Sequence, residues 1–207
     1  MYTDFLLPNN NEEELIQFSG KLNLKNLCFL YDLDSFLIKT KDKKVLKKAK
    51  DNKINLDFGI IANFNNLDKA KKLSKIVFIN PGENLRTIIE KKKPTAIFNV
   101  ENETINDSMH YKNSGLNHIL AKIMHQNNIY LVFSFSHILK SKNKEKLIGK
   151  IMQNIKLAQK YNVNTIIASF ATNIFEMRNP KDLIAFFNTI KMDQKKSKES
   201  LSFFKEK

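Results

Sequence analysis

Short apolar runs alternate along this chain with amphipathic, lysine-studded stretches, and this alternation constrains the fold more than any other feature. Runs rich in Ile, Val, Phe and Leu occupy residues 2–6, 27–31, 56–62, 76–79, 96–100, 129–135 and 165–169. Each has the length of a buried strand and is too short for an ordinary core helix. Helical spacing occupies 12–19, 42–51, 66–74, 83–92, 114–126, 144–161 and 181–191. Asn11 and Ser114 are placed to cap the first and fifth of these, and acidic residues fill the first turn after Asn11. Pro81-Gly82 leads into the stretch 83–92, and Pro180 suits the first turn of the last. The stretch 114–126 presents Leu116, Ile119, Leu120, Ile123 and Met124 on one face. The stretch 144–161 does the same with Leu147, Ile148, Ile151, Ile155 and Ala158.

Strand and helix in such strict alternation imply a parallel sheet with helices packed outside it. About seven strands with short connections fit either a TIM-like barrel or an open doubly wound sheet, and periodicity does not choose between them. The 207 residues suffice for one substantial α/β domain, placed at 1–192. Residues 193–207 read as a charged C-terminal tail, a short helix ending in disorder.

The charge is the second constraint. The formal net charge is +14, and the basic residues are nearly all Lys, with Arg only at positions 86 and 178. An A/T-rich genome selects Lys over Arg and favours Asn, Ile and Phe. It does not by itself make Lys outnumber Asp and Glu so strongly. An excess of this size favours a polyanionic partner, because each Lys near a phosphate releases a condensed counterion. The lysines cluster at 39–53, 69–75, 91–93, 140–150 and 191–198. Singly, each cluster is the wet face of a helix; on consecutive barrel helices they form a broad positive flank. Without an aromatic-interleaved ribonucleoprotein motif or a zinc-knuckle spacing, recognition is expected through phosphate and shape. Cys28, the single cysteine, lies in an apolar run and reads as a core residue. No signal-like opening or membrane-length apolar run occurs, so a cytoplasmic protein is expected. The sequons at Asn102 and Asn106 then read as chance in an Asn-rich chain.

The residues that carry chemistry are sparse. Of the four histidines, His110, His118, His125 and His137, the middle two lie seven apart on one helix face. Metal pairs on helices sit three or four apart, so no metal site is read here. His118 fits better as a polar group near a helix N-terminus. Asp4, Asp32, Asp34, Asp57, Glu101 and Glu103 lie at or near strand ends, where barrel active sites gather. No nucleophile–base pair and no phosphate-cradling Gly-rich loop accompanies them, so caps and loop ends are the simpler reading.

The segment Lys112-Asn113-Ser114-Gly115-Leu116-Asn117-His118-Ile119-Leu120-Ala121-Lys122 resembles a signature of the archaeal-type ribonuclease P protein component 3 family. The features that follow keep that family's order. An apolar strand precedes a basic helix ending Gln153-Asn154-Ile155-Lys156-Leu157-Ala158-Gln159-Lys160-Tyr161. Then come a strand with Ser169 and Ala171, and Arg178-Asn179-Pro180-Lys181-Asp182-Leu183. These cover a little under half of the chain; the N-terminal half is similar in layout alone. The resemblance implies a TIM-like barrel related to the polymerase-and-histidinol-phosphatase superfamily. The metal motif Asp-x-His-x-His of that superfamily would fall on the first strand, which here reads Asp4-Phe5-Leu6-Leu7-Pro8, without imidazoles. It further implies a protein subunit without a catalytic centre, one that assists a catalytic RNA in removing the 5′ leader of precursor tRNA. The partners implied are ribonuclease P RNA, protein component 2 and the other ribonuclease P proteins. Magnesium would sit on the RNA, and the chain itself would bind no cofactor. Two departures stand out. Family positions around 142–150 that often carry Arg hold Lys, Asn or Glu, which keeps phosphate attraction and loses bidentate geometry. The position after Ser169, often polar, is Phe170.

The expected RNA contacts are Lys112, Asn117, His118, Lys122, Lys144, Lys146, Arg178 and Lys181. Several lie at helix N-termini, where amide donors and the helix dipole already favour phosphate. Arg178 is singled out because Arg there overrides the chain's preference for Lys. The rival readings are a metal-dependent phosphoesterase and a purely structural assembly subunit.

Overall fold

The computed structural model describes residues 2–103 and 113–203. Seven parallel strands run in sequence order, each hydrogen-bonded to the next. The first half reads β1 (Thr3–Leu6), α1 (Glu12–Lys21), β2 (Asn26–Tyr31), α2 (Leu33–Lys39), α3 (Lys43–Asp51), β3 (Asn55–Ala62), α4 (Leu67–Leu73) and β4 (Val77–Ile79). The second half adds α5 (Leu85–Thr87), β5 (Ala96–Phe98), α6 (His118–Gln126), β6 (Tyr130–Ser134), α7 (Phe135–Lys140), α8 (Lys144–Lys160), β7 (Thr165–Ala168), α9 (Pro180–Thr189) and α10 (Gln194–Ser200).

The sheet curls until its edges meet. Leu6 bridges Ala171 in parallel, Leu7 N donates to Ala171 O and Phe170 N donates to Phe5 O, both at 2.9 Å. Two unpaired edges are thereby joined, which gives a nearly closed TIM-like barrel in place of an open sheet. The interior is filled by Phe5, Cys28, Leu30, Phe78, Phe98 and Phe170 among others. Phe170 has φ 49°, a conformation that costs a bulky residue about 1–2 kcal/mol. That turn aims its ring into the barrel, where it lies 6.1 Å from both Phe5 and Phe98. A second apolar layer packs the strands against the helices around Ile60, Ile97, Leu131, Ile155 and Phe187.

All seven expected strands are present, with ends shifted by a residue or two. The larger departures have local causes. The run 129–135 stops at Ser134, whose hydroxyl accepts the amide of His137 and starts α7. The helix expected over 114–126 begins only at His118, because Gly115 adopts φ +84°. Asn117, not Ser114, is its cap: the Asn117 side chain accepts from Leu120 N at 2.9 Å. Asn11 stands at the start of α1 without a capping bond. It donates instead to Thr172 O at 3.0 Å, tying the loop after β1 to the turn after β7. The stretch 83–92 divides into a 3-10 turn, α5 and a π turn that ends at Lys93 in the left-handed region. Helices α2 and α7 show no clear period in the sequence, being at most two turns long.

The short helix expected after residue 193 is α10, and it is fastened to the barrel. Thr3 N donates to Leu201 O at 2.9 Å, and the Phe203 ring meets Phe5 at 5.5 Å and Tyr130 at 5.1 Å. Leu201 and Phe203 are buried, so this segment closes the floor at the strands' N-terminal end. Cys28 is buried, as its apolar neighbours indicated. No helix among the described residues is long and apolar enough to cross a membrane.

Candidate nucleic-acid interface

In a parallel barrel each connecting helix starts at the rim formed by the strands' C-terminal ends. Helices α6, α8 and α9 follow β5, β6 and β7, which are neighbours in the sheet. The topology therefore gathers Asn117 and His118, Lys144 and Lys146, and Arg178 and Lys181 onto one sector of this rim. All but Arg178 are exposed. Lys122 does not join them. Its ammonium lies 5.8 Å from the ring of Tyr161, which terminates α8 at the opposite end of the barrel. Lys112, with His110 and Asn106, falls outside the described residues.

The loop that delivers Asn117 and His118 is held from below. A Cβ on Gly115 would lie 2.2 Å from Val100 O, so backbone meets backbone there and only glycine fits. Asn154, 0% exposed on α8, donates to Ser114 O and to a Glu101 carboxylate oxygen, both at 2.9 Å. Burial pushes the Glu101 carboxyl up from its usual range, against the bond from Asn154 and the charge of Lys150, itself buried. The sequence placed Glu101 at a strand end without finding its partner; that partner is a polar residue amid the apolar face of α8. Much of the recognisable motif thus holds a loop in place: Ser114 through its carbonyl, Gly115 through its missing Cβ, and Asn117 through its cap.

The other side of the sector is a rigid turn after β7. Both oxygens of Glu176 are engaged, by Thr172 N at 2.9 Å and by the Asn173 amide at 3.0 Å, and Lys140 pairs with it at 2.9 Å. Arg178 folds back onto this turn, donating from one guanidinium nitrogen to Phe175 O and Met177 O at 2.7 Å. It also lies 5.2 Å from the Phe135 ring. A lysine ammonium cannot reproduce this planar packing, so the choice of Arg has a structural reason that charge alone did not supply. The turn presents Phe175 at 82% exposure, its carbonyl held by Arg178. Sequence reasoning missed Phe175; its only signal was an Ile-Phe pair stranded in a polar loop.

The acidic residues at strand ends divide among other tasks. Asp32 and Asp42 cap α2 and α3, and Asp34 lies in the first turn of α2. Asp57 is exposed within β3. Asp4 is buried at the seam between β1 and β7 and bonded to Ser169. His125 Nδ1 lies 2.7 Å from Asn162 O, and burial lowers the pKa of half-buried His137. Among the described residues no three His, Cys, Asp or Glu converge as metal ligands do. On β1, Leu6 is fully buried where the phosphatase motif would carry an imidazole.

The sequence pattern of the family described as RNase P subunit p30 matches residues 1–205. The chain belongs to that family. A ribonuclease P protein component 3 of Methanococcus maripaludis is 38% identical over 79 residues, which cover 37% of this chain and 34% of that protein. One from Methanosarcina barkeri is 23% identical over 143 residues, 68% of this chain and 57% of the relative. The chain thus matches only part of the length of these p30-family relatives. In a cryo-EM structure of archaeal ribonuclease P with mature tRNA, one chain is similar in fold, with a TM-score of 0.78 at 22% identity. The match covers 96% of this chain and 86% of that one. A zinc-containing histidinol phosphate phosphatase from Lactococcus lactis gives a TM-score of 0.64 at 6% identity, covering 93% and 94%. Both likenesses concern the fold alone.

Proposed function

We propose that this chain is the barrel-shaped protein subunit of a ribonuclease P. In this reading it binds the catalytic RNA and a component 2 partner, and it assists removal of the 5′ leader from precursor tRNA. The single observation that carries the proposal is the basic sector itself. Asn117 and His118 of the family's signature and the first turns of α6, α8 and α9 fall on one rim, with exposed Lys144, Lys146 and Lys181 and helix N-termini that favour phosphate. Phase and register come from phosphate contacts of this kind, which need no base reading. Chemistry belongs to magnesium ions held by the RNA, and the chain contributes cations and a rigid surface. A cytoplasmic setting accords with this role.

The test is precursor-tRNA cleavage by the cognate catalytic RNA at limiting magnesium. RNA alone, RNA with component 2, and RNA with both proteins are compared, with this chain alone as the control. Stimulation that needs both proteins, and no cleavage by the chain alone, is the expected result. Cleavage by the chain alone would overturn the assignment of the chemistry to RNA.

A further inference from the structure

A second concentration of cations lies at the other end of α8. A groove of about 640 Å³ runs between the last two turns of α8 and the turn after α9, lined by Met152, Lys156, Leu157, Gln159, Lys160 and Lys191. Lys156 and Lys160 stand four apart, on one helix face, where like charges repel. Lys191 is held across from them by the left-handed turn that ends α9, with φ 75°. All three are exposed, none is ion-paired among the described residues, and no acidic side chain lines the groove. Beside it, the ammonium groups of Lys160 and Lys122 lie 5.6 and 5.8 Å from the Tyr161 ring. The amide oxygen of Gln159 is buried without a hydrogen-bond partner.

We propose that this groove binds single-stranded RNA as a second contact, separate from the rim. The phosphates lie on Lys156, Lys160 and Lys191. A base or ribose covers Met152 and Leu157 and donates a hydrogen bond to the Gln159 amide oxygen as that side chain turns into the groove it lines. The inference rests on the reading that this chain binds RNA. A cationic groove with an aromatic ring beside it is the combination that sequence-tolerant single-strand sites use. An acidic peptide would answer the lysines and leave the apolar floor unused. Lys144 and Lys160 are about 24 Å apart along the helix axis, so one continuous strand could touch both ends of the barrel, and either end can be disabled alone.

The probe is a fluorescent oligouridylate, its binding followed by anisotropy across a salt series. The wild type is compared with a groove variant (K156A, K160A and K191A) and a rim variant (K144A, K146A and K181A). All six side chains are exposed, and thermal melts are to show equal folding of the variants before binding is compared. Neutralising three single-strand phosphates contributes about 2 to the log–log salt slope, and the groove variant is expected to lose that much. Gln159→Leu is expected to weaken binding several-fold with the slope unchanged, since a hydrogen bond releases no counterion. An unchanged slope in the groove variant, with a reduced one in the rim variant, would overturn the groove while leaving RNA binding intact. No binding by the wild type would overturn both readings. Polyglutamate competing as well as oligouridylate would reassign the groove to an acidic protein.

Discussion

Asp4 accepts the amide of Ser169 at 2.7 Å on one carboxylate oxygen and its hydroxyl at 2.6 Å on the other, across the seam where β1 meets the end of β7. Ser169 Oγ in turn accepts Ala171 N at 3.3 Å, so the chain of bonds reaches the bridge that closes the barrel. The clasp is buried, and desolvation outweighs these bonds, raising the Asp4 pKa to about 6. A carboxyl raised on folding contributes stability that is full below its unfolded pKa of about 4 and lost as pH rises through the folded value. Asp4→Asn keeps one of the two acceptor oxygens and removes the charge. Relative to that variant, the wild type should therefore lose on the order of 3 kcal/mol between about pH 4 and pH 7. Denaturant unfolding across that range measures it, and parallel curves for the two proteins would refute the account.

Asn154 supports the rim loop from beneath, and its removal should be felt in two places. Asn154→Leu leaves the Ser114 carbonyl and the Glu101 carboxylate buried without that donor, a loss of about 2–4 kcal/mol. The loop bearing Asn117 and His118 is then free to move. Hydrogen exchange at the amides of residues 113–118 should accelerate well before global unfolding, and RNA affinity should fall with it. Exchange that accelerates uniformly over the whole barrel would mean that Asn154 stabilises the fold without positioning the loop.

Most strands were legible because their buried runs are nearly continuous and apolar, as both-faces burial in a parallel sheet requires, while β3 keeps an apolar run only in its second half. Barrel closure was not, since it depends on Leu6 meeting Ala171 and on Asp4 meeting Ser169, contacts that span almost the whole chain. The rim was legible through the signature around Ser114 and Gly115, but the jobs of its residues were not. Asn117 reads as an RNA contact, with Ser114 as the cap, until the backbone is seen, and Arg178 shows its structural task only once the Phe175 and Met177 carbonyls are placed. The floor formed by Phe203 was hidden by the charged residues that precede it.

Phe175 is held nearly fully exposed on a turn that Glu176, Lys140 and Arg178 stiffen, which is the arrangement of a stacking platform. Base–aromatic stacking contributes about 1–3 kcal/mol per base. Phe175→Ala should weaken binding of the catalytic RNA by roughly ten-fold or more with no change in melting temperature, while Phe175→Tyr should retain it. Equal affinity in the Ala variant would leave Phe175 to a protein partner.

The rim lysines predict a trade between protein and magnesium. Lys144, Lys146 and Lys181 are exposed at helix starts on one sector, where they add positive charge to the helix dipoles. Divalent ions screen the same phosphates, so in the reconstituted particle the two sources of charge are partly interchangeable. A K144A, K146A and K181A variant should therefore shift the magnesium midpoint of precursor-tRNA cleavage upward, with full activity restored at high magnesium. Substitution by Arg at the same three positions should leave the midpoint near the wild-type value, because charge is what screens. A midpoint indifferent to both changes would remove the rim lysines from the interface. A defect that persists at saturating magnesium would show that these residues fix geometry, which ions cannot supply.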